Sequence, residues 1–451
     1  MRIREDESGQ MLVMTALSLT ILLGFVALAV DVGMMFRAQR NMQIAADAAA
    51  VAAALNASYN TVNSSTPTSA ANAAAALNGV AASYVTVNTP PQFGWHTGVG
   101  YYEVIISTPN PTIFMNIFGM HSINVAARSV AGIIPSPSCI YVLNNTTTGT
   151  SLYVKGGASG GDAIDASGCS IQVNSPSPNA ICDQGSATIS SPGIYVAGSG
   201  GQSTSGQCNK TPTGGAPVTS GGLAQPDPYN NFIGPTSASS TPPCTMDTTT
   251  SSIGSAASYA SPGAGNAVCF TNAISLGDKN GTLQLGSGTY VFLNGVTMNG
   301  SVQVTNGTLD VEQGQWTQNN YTLGIIAPTS GIYNSLAFMV PSTNTITTCG
   351  NSGNSVGITF PPTCVQLQFG SGGSGTGSCP APSSTVTNTP GTLDGIIYAP
   401  TSTVWLQDSG GGVQATGVVA WNLYDNSQIC ITSYNQQNPS TTPLKTISMV
   451  E

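Results

Sequence analysis

The strongest constraint on this chain is a run of twenty uncharged residues, Met11–Val30 (MLVMTALSLTILLGFVALAV), bounded by Gln10 and Asp31. At 1.5 Å rise per residue a helix of that length reaches about 30 Å, the thickness of a bilayer's hydrocarbon core. In lipid every backbone polar group must be satisfied within the segment, so the run is expected to be helical. A cleaved secretory signal has a shorter apolar region and a small-residue cleavage site. Here DVGMMFRAQRNMQ follows instead. The segment therefore reads as an uncleaved transmembrane anchor, with the lipid bilayer as its first partner. Arg2 and Arg4 face Arg37 and Arg40 across it, so basic residues alone say little about orientation.

No proline occurs between the apolar run and Pro67, and NMQIAADAAAVAAALNA is made almost entirely of strong helix formers. One helix from about residue 10 to 57 is expected, with Ile44, Val51 and Leu55 on a single stripe. Its Ala faces permit close packing against a neighbouring helix. A second Ala-rich helix, about Ala70 to Tyr84, would follow the break at 60–67, with Ser69 as its N-cap.

Charged residues are 6% of the 451, nine Lys+Arg against eighteen Asp+Glu, and only Arg128, Lys155, Lys210, Lys279 and Lys445 are basic beyond Arg40. Clustered cations are what a nucleic-acid surface requires, so no nucleic-acid partner is expected. A hydrophobic content of 40% is enough to build cores, with Ser, Thr, Asn and Gly covering them. The ten cysteines are Cys139, Cys169, Cys182, Cys208, Cys244, Cys269, Cys349, Cys364, Cys379 and Cys430. None recurs as CxxC or with short His spacing, and His96 and His121 are the only histidines, so no metal and no cofactor are expected. An even count in a polar, Gly-rich region suits disulfides in an oxidising compartment. That places the N-terminus in the cytoplasm and the bulk of the chain in the periplasm or outside the cell.

The stretch GQMLVMTALSLTILLGFVALAVDVGMMFRAQRNMQIAADAAAVAAA resembles the N-terminus of TadG-like proteins of the bacterial tight-adherence (Tad/Flp) pilus system. The matching features are Gly-Gln ahead of the apolar run, Ala-Val-Asp-Val-Gly at its end, an Arg/Gln-rich turn and Ala-Ala-Asp-Ala-Ala-Ala. YYEVIISTPNPTIFMNIFGMHSINVAARSVAGI (101–133) is similar to the family's next stretch, so the resemblance spans about residues 9–134. It implies a single-pass protein of the inner membrane whose partners are other Tad pilus-machinery proteins. Two features depart from the family pattern. Counting from Gly9, Met14 stands where a type IV prepilin has Glu, so the anchor is expected to stay in the mature protein. Asp165-Ala-Ser167-Gly-Cys169 lacks the second Ser of a von Willebrand A metal motif.

From Ser136 onward short alternating segments dominate. Leu283/Leu285, Tyr290/Phe292, Val296/Met298, Val302/Val304 and Leu309/Val311 each have the period of two that a half-buried strand requires. Asn-Gly at Asn294, Asn299 and Asn306 marks tight turns. Gly324–Ser330 returns as Gly395–Ser402, and 168–175 is echoed by 185–191, as though rungs were stacked. These patterns favour a parallel β-helix or solenoid over a β-sandwich, which stays open as the alternative. A looser resemblance to the pectin-lyase-like β-solenoids of some TadG-like proteins agrees. The fold class is thus membrane-anchored α+β, divided as a cytoplasmic tail (1–10), a transmembrane helix (11–30), a helical stalk with a small α+β region (31–135), a β-helix-like domain (136–435) and a C-terminal tail (436–451). Residues 371–392 read as a surface loop, and adjacent rungs suggest Cys169–Cys182 and Cys349–Cys364 as bridges.

No constellation reads as catalytic. Asp162 and Asp165 are spaced to point to opposite faces of a strand. Gly157–Gly161 has the letters of a nucleophile elbow, and Gly370–Gly375 those of a dinucleotide loop, without the strand-to-helix context either needs. Trp316, Trp405 and Trp421 would serve as a sugar-stacking platform or, more commonly, as core. Asn-x-Ser/Thr at Asn56, Asn144, Asn280 and Asn320 is incidental. The expectation is a non-enzymatic envelope protein of a Tad-type pilus system whose β-rich region mediates adhesion or contact with cell-wall or surface glycans. The alternative is a membrane-tethered glycan-binding or polysaccharide-active solenoid.

Overall fold

The computed structural model describes residues 8–59, 66–135, 138–155, 162–185, 187–204, 208, 216–229, 232–240, 243–255, 259–279, 281–319, 321–342, 344, 363–369, 393–407, 413–426, 429–431 and 444–451. The chain forms two compact units, Met1–Ile134 with Thr446–Glu451, and Pro135–Lys445. The second is thus inserted between the body of the first and its last strand.

In the first unit, helix α1 (Ser8–Tyr59) is 52 residues long, about 78 Å at helical rise. Its apolar run is not buried anywhere in the protein, and it is the one helix among the described residues long and apolar enough to cross a membrane. The hydroxyls in the run find partners without leaving the helix: Thr15 donates to the Met11 carbonyl at 2.7 Å, Ser18 to Thr15 at 2.9 Å and Thr20 to Ala16 at 2.9 Å. Such local bonding is what an apolar solvent demands. Beyond the run the helix turns a small-residue face inward. Ala45, Ala46, Ala49, Ala50, Ala53 and Ala54 are fully buried against Ala71 and Ala75 of α2 (Pro67–Leu77) and against Val104, Ile106, Ala127 and Ala131. Of the expected stripe, Ile44 is 59% exposed, whereas Val51 and Leu55 are half-buried and Val51 packs on this core; the fully buried face is the Ala one, because small side chains let two backbones approach closely. The neighbour on the Ala face is the chain's own second helix.

That helix starts earlier and ends sooner than its composition suggests. Thr66, not Ser69, is the N-cap and accepts from the Ser69 N–H, with Pro67 in the first turn. Asn78 and Gly79, the latter at φ +80°, end it. Three strands follow, β1 (Val85–Asn88), β2 (Tyr101–Pro111) and β3 (Ser122–Pro135), paired antiparallel in that order. Residues 436–451, expected as a tail, include the strand Lys445–Met449, which takes the open edge of β3 and packs Ile447 on the unit's core.

In the second unit every strand pairing described is parallel, and between 267 and 326 strands consecutive in sequence enter different sheets. Ala267–Phe270, Ile274–Leu276 and Thr282–Leu285 enter three sheets in turn. Gly288–Phe292, Val296–Met298 and Ser301–Thr305 then add one strand to each, and Gly307–Asp310, Trp316–Gln318 and Leu323–Ile326 do so again. The period-two segments are therefore strands, and the short recurrences between them are not stacking neighbours. Gly324 lies in one sheet and Ile396, after the echoing Gly395, in another. Likewise Ile171 pairs with Ile194, and Ile189 with Ile164, so 168–175 and 185–191 do not stack on each other.

The largest sheet contains, from edge to edge, Val218–Gly222, Ile194–Ala197, Ser170–Val173, Ser138–Val142, Gly417–Asp425, Ile396–Gln407, Leu336–Met339, Gly307–Asp310, Gly288–Phe292, Ala267–Phe270 and Met246–Thr248. An apolar ladder runs in register across all of them, including Val268, Tyr290, Leu309, Phe338, Ile397, Val418, Ile140, Ile171 and Ile194. The chain enters in the middle, builds to one edge, crosses to the far edge and returns beside its starting strand.

The crossing segment, 223–245, must span ten strand spacings, about 48 Å, well within the reach of 23 residues. Its described residues lie along the sheet face opposite the apolar ladder. Gln225 exchanges hydrogen bonds with the Asn174 side chain at 2.7 and 2.9 Å, Tyr398 donates to Asp227 at 2.7 Å, and Phe232 meets Tyr333 edge-on at 5.5 Å. Both faces of the sheet are thereby covered, which explains the unbroken burial of its central strands.

Candidate functional site

Asp31, the first charge after the apolar run, is 1% exposed. Its carboxylate accepts from the backbone N–H groups of Ile113 (3.0 Å), Phe114 (3.0 and 3.2 Å) and Met115 (2.7 Å). These belong to the turn between β2 and β3, so a residue at the membrane boundary is tied to the tip of the hairpin. Higher up, Thr108 donates to the Met42 sulfur, and Gln43 to the Arg128 carbonyl at 3.1 Å. Eleven helical residues and five strand residues both span about 16 Å, so the hairpin lies along the helix with its turn toward the membrane end.

At the other end of the hairpin a charge cluster holds the returning C-terminal strand. Glu103, fully buried, accepts from Arg128 (2.5 Å), Asn88 (2.7 Å) and the Gln92 N–H (3.1 Å). Burial opposes its charge, but these donors outweigh it and hold the carboxyl below its ordinary value. Arg128 also donates to Glu451 at 2.7 Å, and Glu451 accepts from the Trp95 and His96 N–H groups at 2.5 and 3.1 Å. The Arg128 bond is the main cause that draws the Glu451 side chain down to about 2.

In the second unit Cys139 joins Cys169, Cys182 joins Cys208 and Cys244 joins Cys269, with Cα atoms 5.7, 5.0 and 5.9 Å apart. Cys364 and Cys430 are disulfide-bonded as well. Cys349 and Cys379, and with them the expected Cys349–Cys364 bridge, lie outside the described residues. The expected Cys169–Cys182 bridge does not form. Parallel neighbours are separated by a full passage through the sheets, and the bridges accordingly span 30, 26 and 25 residues. Cys244, Asp247 and Cys269 cluster within metal-ligand distance, but both sulfurs are already bonded to each other.

Asp310, the last residue of its strand, and Glu312, two residues beyond, are both fully buried beneath the crossing segment, where the Gly234 N–H donates to Glu312. Complete burial, with Glu312 alongside, pushes Asp310 well above the usual carboxylate range. Nothing in DVEQ marks this pair from sequence, because the segment that buries it comes from some eighty residues earlier.

Of the other residues singled out, Trp316 is buried edge-on to Phe338 at 4.9 Å and Trp405 edge-on to Tyr424 at 5.3 Å, while Trp421 packs partly buried on the core. They form no exposed platform. Asp165 caps its own turn through the Ser167 N–H at 3.1 Å. Asn144 is buried and bonds Asn422 at 2.7 Å. The side chain of Asp162, and residues 157–161, 370–375 and 371–392, lie outside the described residues.

A bilayer-length exposed helix, a small hairpin unit clasped to it and a mainly-β unit of parallel sheets carrying disulfides fit the class of single-pass membrane-anchored proteins. Residues 9–57 match the family model described as Flp pilus-assembly TadE/G-like. The N-terminal segment is thus of TadE/G-like type and supports a protein of the Tad pilus system. No curated protein and no solved structure matches the chain.

Proposed function

We propose that this protein is a non-enzymatic component of a Tad/Flp-type pilus assembly system, held in the bacterial inner membrane by α1. The N-terminus faces the cytoplasm, and the β unit stands in the periplasm or beyond, where it mediates adhesion or envelope contact. The observation that carries this reading is the TadE/G-like segment on α1, in a chain whose β unit is stapled by disulfides. Disulfides persist in oxidising compartments, which favours the outward orientation. Three successive strands laid into three parallel sheets, time after time, support a parallel β-helix, the architecture in which each turn of chain buries its apolar side against the next. Other pilus-machinery proteins are the expected partners.

The test is made in the native host. Replacing residues 136–444 by a short flexible linker keeps the anchor, the hairpin and the C-terminal strand. Pili, counted by electron microscopy, should still assemble in that strain, whereas attachment to surfaces should fall severalfold. Wild-type attachment by the linker strain would refute the adhesive role, and normal piliation after deletion of the whole gene would refute the pilus role.

A further inference from the structure

Five apolar side chains are left outside the core at one place in the first unit. Ile113, Phe114, Ile117, Phe118 and Met120, in the turn between β2 and β3, are 55%, 36%, 79%, 79% and 49% exposed. The turn is not a loose loop. Ile117 N–H donates to the Phe114 carbonyl, Gly119 N–H at φ +84° to Asn116, Met120 N–H to Met115 and Thr112 N–H to His121. The three N–H groups at its start are taken by Asp31. Exposing such a rigid apolar surface to water is unfavourable, so it calls for an apolar environment.

Its position says which one. Asp31 directly follows Val30, the last residue of the apolar run, so the carboxylate fixes the turn at the level where the anchor leaves the hydrocarbon. Val32 and Phe36, 38% and 63% exposed, line a groove of about 310 Å³ between α1 and β3 together with Met35, Gln39, Asn124 and Val125. We propose that the 113–120 turn inserts into the outer interface of the bilayer beside its own transmembrane helix, as a second, shallow lipid contact that fixes the tilt and rotation of the unit. Aromatic and aliphatic side chains on a backbone whose N–H groups at 112–115, 117, 119 and 120 are hydrogen-bonded suit that zone, where apolar groups sit about 5–10 Å below the headgroups. The inference rests on the membrane anchoring proposed above and adds a lipid-binding site to it.

The full-length protein is reconstituted into vesicles of phosphatidylethanolamine and phosphatidylglycerol containing a diazirine-bearing phospholipid, irradiated, digested and quantified by mass spectrometry. The peptide 93–99 serves as an internal reference. It presents Phe93, Trp95 and Val99 at 60%, 93% and 95% exposure, but at the opposite end of β2, roughly 30 Å from the turn. Lipid adducts on 113–120 are expected within threefold of those on Met11–Val30 and at least tenfold above those on 93–99. The double variant I117N/F118N, at two surface positions, should lose the tip adducts at least fivefold and keep those of the anchor. Labelled anchor with a tip no more labelled than 93–99 overturns the proposal, as it would if a second copy of the chain covered the turn. An unlabelled anchor overturns the membrane reading and this inference with it.

Discussion

Replacing Asp310 by Asn should change the stability of the β unit by an amount that depends on pH. Asp310 is fully buried beside Glu312, and both effects hold it protonated above the range in which an unfolded aspartate ionises. An unfolded Asp titrates near 3.9, and each pH unit corresponds to about 1.4 kcal/mol. The folded carboxyl lies above the unfolded one, so the native state binds the extra proton and loses stability as pH rises through the interval between the two. Within that interval the loss grows by up to about 1.4 kcal/mol for each pH unit. An Asn amide at the same place does not ionise and costs about 1 kcal/mol in imperfect hydrogen bonding at every pH, so D310N should be about 1 kcal/mol less stable than wild type near pH 4 and should gain on it steadily as pH rises to 6 and beyond. Urea unfolding of the full chain in detergent measures this through Trp316, whose indole packs on Phe338 one strand away from Asp310. A difference between variant and wild type that stays constant from pH 4 to 6, or a variant that loses ground to wild type over that range, would refute the reasoning.

The charge cluster of the first unit should show the opposite dependence. Glu103 and Glu451 are held below their unfolded values, so their contribution is complete above about pH 5 and is lost as pH falls toward about 2. Hydrogen exchange of β2 and β3 read at pH 6 and 3 would follow it, and R128M should cost about 1–2 kcal/mol at pH 6, less than a fully buried pair because Arg128 is 29% exposed. The double variant C244S/C269S, opening a 25-residue loop, should lower β-unit stability by about 3–4 kcal/mol in the same urea assay. Peptides from Met11–Val30 should be recovered by mass spectrometry from the mature protein, since Met14 stands at the prepilin Glu position. A mature N-terminus at Gln10 would contradict this.

How much of this could be read from sequence differs by element. The anchor and the Ala-rich helix were legible because both depend on local composition, an uncharged run and then an absence of proline as far as Pro67. Strands such as Gly288–Phe292 and Val296–Met298 were legible because period two is also local. Their partners were not. Parallel pairing joins residues about twenty positions apart or more, and the letters of Gly324–Ser330 and Gly395–Ser402 match although the segments lie in different sheets. The bridge of Cys139 to Cys169, instead of Cys169 to Cys182, follows from the same topology. The Asp31 clasp, the Arg128–Glu451 pair and the buried Asp310 are each made by segments distant in sequence, and no short window contains them.

The outward, oxidised β unit on a membrane anchor is tested most directly by counting thiols in protein taken from its native host. The protein is alkylated under denaturing, non-reducing conditions, then reduced and alkylated with a second, heavier reagent before mass measurement. With Cys139, Cys169, Cys182, Cys208, Cys244, Cys269, Cys364 and Cys430 all bonded, at most two of the ten cysteines should take the first reagent and at least eight the second. Eight or more carrying the first reagent would mean a reduced chain, and would contradict both the bridges and the orientation drawn from them.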